Sequence, residues 1–197
     1  MRLNEILERW AQRQPSEIQS HEGECCEQAK AWFTSMANSA LAIGGAPQEP
    51  AWIVERYKWG PCEWPMHWCE AMTAEAMDCG AFAAVGRFLM ETSGVSTCPV
   101  QLVERYSVDD GAHWSALWAA RGCGMDWSEE GLTYHEATGV VSEGSLRVWD
   151  STRGVWRASS ETQGYGSIAA IRCWLPRESS VSWGTSSLKS GLWCELA

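Results

Sequence analysis

Apolar residues recur at a helical interval from the start of the chain. Leu3, Ile6, Leu7 and Trp10 predict an amphipathic helix over residues 2–13. Pro15 and Ser16 open a new segment, with Ser16 as a cap and Glu17 near the helix start. Cys26, Ala29, Trp32, Phe33 and Met36 continue an apolar stripe to about Ala42. Gly44, Gly45, Pro47 and Pro50 predict a loop, and residues 51–58 read as a strand or a short helix. Gly60, Pro61 and Pro65 break up a stretch dense in Trp and Cys, which reads as an irregular, partly buried loop. Helical signals return over Cys69–Met77. A further helix is predicted from Asp78 to Glu91 or Thr92, with Gly94 as its stop. After Pro99 the pattern becomes strand-like: 100–108, 113–119, 132–141, 146–150 and 168–175, with turns at Asp109-Asp110-Gly111 and Glu143-Gly144. Helices first and antiparallel strands later predict an α+β fold, N-terminal helices packed on an antiparallel β-sheet. A single domain is expected over residues 1–176, with a helical part at 1–50. Residues 177–197 form a Ser/Gly-rich C-terminal tail, expected to be a mobile tail or a surface arm up to Gly191, with Leu192-Trp193-Cys194 docking back.

Composition narrows the partners. Asp and Glu outnumber Lys and Arg by 25 to 15, and the formal charge of -10 repels phosphate backbones, so nucleic acid is not expected. No basic run marks a membrane surface, and no segment approaches the ~20 apolar residues that span a bilayer. Residues 1–10 carry Glu5 and Glu8 and lack the apolar centre of a signal peptide. The nine Cys are an odd, scattered set, which argues for free thiols in a reducing, cytoplasmic compartment rather than a disulfide framework. The 14 Trp against 4 Tyr and 3 Phe suit either an aromatic cleft or a Trp-built core.

One cysteine stands where chemistry is favoured. Asp78-Cys79-Gly80 sits at a predicted helix N-terminus, whose unpaired N–H groups favour a thiolate. Gly80 and the alanines after it allow close approach of neighbouring chain or substrate, and the Cys79 N–H is a candidate oxyanion donor. Taken alone, Cys79 reads equally as a buried thiol on an Ala-rich helix. Downstream, His113 follows a turn and Asp150 ends a strand. Nucleophile, base and orienter are thereby each placed at the end of an element.

The order DCGAFAAVGRFL, VQLVERY, AHWSALW, LRVWDST resembles the transglutaminase-like superfamily of papain-fold cysteine enzymes. The resemblance covers roughly residues 69–156, the expected catalytic core. It implies a papain-like/transglutaminase-like fold, with Cys79 as nucleophile, His113 as base, Asp150 as orienter and Trp114 beside the base. It further implies that a side chain upstream of the Cys completes the oxyanion site, for which Trp64, His67 and Trp68 are the candidates. The chain departs from the family in the 37 residues between His113 and Asp150, in Ser151-Thr152 where Pro-Thr is frequent, and in the Gly after Cys79. An extra strand bearing His135 and Glu136 fills the long interval. Alternation sets His135 opposite Tyr134 and Glu136, and His135 is the next base should His113 point away.

The reaction these residues imply is acyl transfer or hydrolysis through a thioester on Cys79, with no cofactor and no metal. The donor is an amide or (thio)ester of a peptide or small molecule, and the acceptor is water or an amine. Two other readings compete. One is a non-catalytic, Trp-rich module binding a peptide or glycan on the same fold. The other is a metal site using Cys62, His67 and Cys69, whose spacing does not match a zinc knuckle. Cys25-Cys26 reads as core and boundary thiols, since adjacent cysteines form strained rings on oxidation.

Overall fold

A computed structural model describes residues 3–42, 45–47, 49–110, 112–113, 116, 128–129, 131–161, 166–176 and 179–196. The expected α+β architecture is present. The helices given bounds among the described residues are α1 (Leu3–Trp10), α2 (Glu24–Ala42), α3 (Trp52–Arg56), α4 (Trp68–Thr73) and α5 (Cys79–Thr92). Among the described residues no helix is long and apolar enough to cross a membrane.

Two short strands, β1 (Lys58–Trp59) and β2 (Ala76–Met77), pair in parallel just ahead of α5. The remaining strands are β3 (Thr97–Arg105), β4 (Ser128–Glu129), β5 (Leu132–Ser142), β6 (Ser145–Asp150), β7 (Val155–Arg157), β8 (Ile168–Cys173), β9 (Ser180–Trp183), β10 (Ser186–Lys189) and β11 (Cys194–Glu195). They form one sheet in the order β10-β9-β6-β5-β3-β8-β11, with β4 beside β5 and β7 beside β6. Every pairing in it is antiparallel except the single β6–β9 contact, Ser145 opposite Ser182.

Register assigns the two faces. Leu102 opposes His135, Val100 opposes Ala137 and Gly139 opposes Val148, so these side chains share one face. The β9–β10 hairpin curls over that face, and Val181, Trp183 and Leu188 join Val100, Leu102, Val148 and Ile171 in one core. The tail expected to be mobile or a surface arm is therefore folded over its described residues. Its Val181 and Trp183 alternate with serines and are buried, and the Leu192–Cys194 end docks through β11 on β8.

Helix α5 covers the opposite face. Its alanines and glycines let it lie close to β5: Thr138 Oγ1 donates to the Ala83 carbonyl at 3.1 Å. A Cβ on Gly86 would fall 2.5 Å from Ser151 Oγ, so this glycine is what admits the turn after Asp150. α2 and α4 pack outside α5, with Phe33 at 5.6 Å from Trp68 and Trp68 at 4.6 Å from Phe88, centroid to centroid. α1 is shorter than predicted. Its C-terminus is fixed by buried Arg172, which donates to the carbonyls of Ala11 (2.8 Å), Trp10 (3.2 Å) and Arg13 (2.7 Å). Trp10 is the last helical residue and Ala11 and Arg13 lie just past it, so Arg172 holds the chain where it leaves the helix.

Two more expectations change. The segment after Ser16 is irregular up to Glu24, and Ser16 caps nothing: its N–H and Oγ both bond Glu136, each at 3.0 Å. Residues 108–110, 112, 113 and 116 are helical where a turn and a strand were expected, and the rest of 113–119 lies outside the described residues.

Candidate active site

Asp78 starts α5 as the sequence predicts. Its Oδ1 accepts the Ala81 N–H at 2.9 Å, and its Oδ2 accepts Trp64 Nε1–H at 2.7 Å. Cys79, the first helical residue, is buried but lines a cavity of about 600 Å³. Trp59, Tyr106, Tyr134, Val155 and Arg153 line it as well, and so does His135. Trp59 reaches the cavity because β1 runs beside β2, the strand that feeds directly into Asp78-Cys79.

His135, Glu104 and Asp150 converge on one face near one end of the sheet. Glu104 opposes Thr133, two residues along β5 from His135. Trp149 opposes Thr138, so the next residue, Asp150, turns to the face of His135. His135 Nε2 lies 3.1 Å from Asp150 Oδ2, an ion-pair contact without the alignment of a straight hydrogen bond. Asp150 is fully buried, and its carboxylate also accepts from Thr152 N (3.1 Å), Thr152 Oγ1 (2.6 Å), Arg157 Nη1 (3.2 Å) and Arg153 Nη1. Glu104 pairs with the same two arginines and accepts the Tyr106 hydroxyl at 2.7 Å. Glu104, His135 and Asp150 approach one another closely enough to suggest a cation site, but Arg153 and Arg157 already supply positive charge to both carboxylates.

These surroundings set the protonation states. Burial opposes ionisation of Asp150, yet His135 and Arg153 outweigh it and hold its carboxyl well below the usual range. Glu104 is likewise lowered, with burial overcome by His135 and Arg153. Burial disfavours the imidazolium of His135, but Asp150 and Glu104 prevail and hold its pKa above 6.5. Cys79 goes the other way from the sequence expectation. Burial pushes its thiol well above 9.0, and the carboxylates of Asp78 and Glu136 add to the effect. The helix N-terminus is there, but a thiolate in this resting site would face carboxylates in a dry environment.

The structure brings Cys79 and His135 to one cavity and pairs His135 with Asp150. His113 is not among the described residues that line this cavity. His113 is exposed on a helical segment, where the sequence reading had it starting a strand. Trp114 lies outside the described residues. Trp64 is not on the cavity wall, and its N–H is committed to Asp78. His67 caps α4, where Glu70 Oε2 lies 3.2 Å from its Nδ1, and its ring lies tilted against that of His21. Trp68 is buried between Phe33 and Phe88. Trp59, Glu104, Arg153 and Arg157 were missed. Arg153 and Arg157 follow Asp150 within one turn and strand, a local excess of cations that was the available signal.

Among the described residues every cysteine is a free thiol, and Cys123 lies outside them. No protein-family model matches the chain, and no curated protein matches it.

Proposed function

We propose that the protein is a transglutaminase-like cysteine acyltransferase or hydrolase, with Cys79 as nucleophile, His135 as general base and Asp150 as its orienter. The observation that carries this reading is one cavity lined by a helix-initial cysteine and by a histidine whose Nε2 is held by a buried aspartate. The chain order supports it too. Cys79 opens a helix that covers an antiparallel sheet, β3 follows, His135 stands on the next long strand, and Asp150 ends the strand after that. With His135 as base, the base precedes the aspartate by 15 residues rather than 37, and the interval that set this chain apart from the family pattern disappears.

Asp150 engages Nε2; His135 stands on the face of β5 away from α5, so the proposal requires Nδ1 to reach the Cys79 thiol through the cavity they both line. In the first step His135 takes the thiol proton while sulfur attacks the carbonyl carbon of an amide or (thio)ester. The Cys79 N–H at the start of α5 stabilises the oxyanion. The tetrahedral intermediate expels its amine, alcohol or thiol, which takes the proton from His135, and a thioester remains. Water or an amine then attacks, passes its proton to His135, and sulfur leaves and recovers that proton. Because the resting thiol is neutral and His135 is raised, proton transfer accompanies attack instead of preceding it. Trp59, Tyr106 and Val155 on the cavity wall favour an apolar acyl group and limit competing water.

The test is incubation with a panel of peptide amides, aryl esters and thioesters, with and without excess primary amine, read by mass spectrometry. The proposal expects donor cleavage that is lost in Cys79→Ala, with amide product when amine is present. Hydrolysed product alone in excess amine would remove the transferase half. No cleavage of any donor, in a protein that binds peptides or glycans, would favour the non-catalytic module.

A further inference from the structure

We infer that His21, Cys25, Cys26 and Cys69 form a structural zinc site that ties the start of α2 to the start of α4. The four residues come from two segments. His21 lies just before α2, Cys25 and Cys26 are in its first turn, and Cys69 is the second residue of α4. Their ligand atoms all lie within 4.8 Å of one another. Three of the six separations approach those of a tetrahedral site, and none exceeds 4.8 Å. Zinc bonds of about 2.3 Å to sulfur and about 2.0–2.1 Å to nitrogen place two sulfurs about 3.8 Å apart, and sulfur and nitrogen about 3.5 Å apart. Here Cys26 Sγ and Cys69 Sγ are 3.9 Å apart, and His21 Nε2 is 3.4 Å from both Cys25 Sγ and Cys69 Sγ. Three thiolates and one imidazole match the donor softness and coordination number of zinc. α2 spans 19 residues, and the positive end of its dipole favours negative charge on Cys25 and Cys26.

A disulfide does not account for the cluster. One Cys26–Cys69 bond would use two of the four groups and leave Cys25 and His21 converging on nothing. The metal reading of the sequence that used Cys62 and His67 is also displaced. Cys62 Sγ accepts the Asp78 N–H at 3.5 Å, and His67 Nδ1 lies 3.2 Å from Glu70 Oε2, its ring tilted against His21 at 4.9 Å between centroids.

The site is independent of the proposed acyl chemistry but lies on the path to it. Backbone between α1 and α2 meets the entry to α4 through Gln19 N–H to the Met66 carbonyl (2.8 Å) and Trp68 N–H to the Gln19 carbonyl (3.1 Å). α4 then leads through β2 into Asp78-Cys79. A zinc ion here would clamp the peripheral helices and steady the loop that delivers the nucleophile.

The test is metal analysis of the full chain purified without chelators, with cobalt(II) titration of the metal-free wild type. About one zinc per chain is expected, together with sulfur-to-cobalt charge-transfer absorption and tetrahedral d–d bands on cobalt binding. Cys69→Ser should lose most of the zinc and Cys194→Ser should retain it. Removing zinc should lower the Tm. A wild-type protein with reduced thiols that takes up neither zinc nor cobalt would overturn the inference, as would a Cys26–Cys69 disulfide found by non-reducing peptide mapping of protein kept under reducing conditions. The cobalt titration needs no variant, so it stands even where Cys69→Ser fails to fold.

Discussion

Replacing Asp150 by Asn keeps the side-chain shape and removes a charge on which three donors depend. Oδ2 faces His135 Nε2 at 3.1 Å, Arg157 Nη1 at 3.2 Å and Arg153 Nη1, while Oδ1 accepts from Thr152. An amide that keeps the Thr152 bonds turns its own N–H groups toward those donors. Removing one partner of a buried ion pair costs about 3–5 kcal/mol. Glu104 also bonds both arginines, so neither guanidinium is stranded and the lower figure, about 3 kcal/mol, applies. At roughly 2–4 °C per kcal/mol for a chain of this size, the Tm falls by about 6–12 °C. The chemical consequence is separable from that loss. Without the carboxylate, the pKa of His135 falls and its orientation is lost. The acid limb of kcat/KM, expected above pH 6.5 in the wild type, then moves to lower pH, and acylation slows by about 10³–10⁴-fold. The assay is burst acylation by an aryl ester across pH, at a temperature where near-ultraviolet circular dichroism shows the variant folded. A folded Asp150→Asn protein with the wild-type acid limb and rate would refute the orienter role.

Gly80→Ala should destabilise despite the ~1 kcal/mol that Ala gains over Gly in a helix: its Cβ would fall 2.3 Å from Ser16 Oγ, which Glu136 holds, and overpacking of this kind costs about 1–3 kcal/mol, read as a lower urea midpoint. Acid should unfold the protein through Asp150 and Glu104. Their folded pKa values lie below the ordinary 3.8 and 4.5, so the stability they contribute is present above those values and is lost as pH falls through and below them. His135 works from the other side, contributing fully below 6.5 and losing its share as pH rises through its raised value; equilibrium urea titrations across pH check both. Arg172→Ala should release the end of α1 at a cost of roughly 3 kcal/mol, because three carbonyls lose a charged donor, and amide exchange in residues 3–13 should rise more than elsewhere.

The helix at Cys79 and the strands β3, β5, β6 and β8 were legible because each is a run rich in apolar residues bounded by Asp, Gly or Pro. The β9–β10 hairpin was hidden by composition. Serines suggested a tail, although Val181, Trp183 and Leu188 alternate around Gly184-Thr185 as a hairpin should. Which histidine lies buried beside Asp150 depends on tertiary context. Alternation set His135 opposite Tyr134 and Glu136, but only the structure shows that both faces of β5 are covered, so that the histidine is buried against Asp150. The His-Trp pair at 113–114 resembles the family pattern in local sequence alone. Arg172 and the His21–Cys69 cluster join segments far apart in the chain, and no local spacing announces such contacts.

The most direct test is acylation of the intact protein by an activated aryl ester, with peptide mapping of the adduct in wild type, His135→Ala and His113→Ala. The account predicts an acyl group on Cys79 in the wild type, formation slowed about 10²–10⁴-fold in His135→Ala, and no change in His113→Ala. Acylation at another residue, or loss of Cys79 acylation in His113→Ala with His135→Ala unaffected, would contradict it.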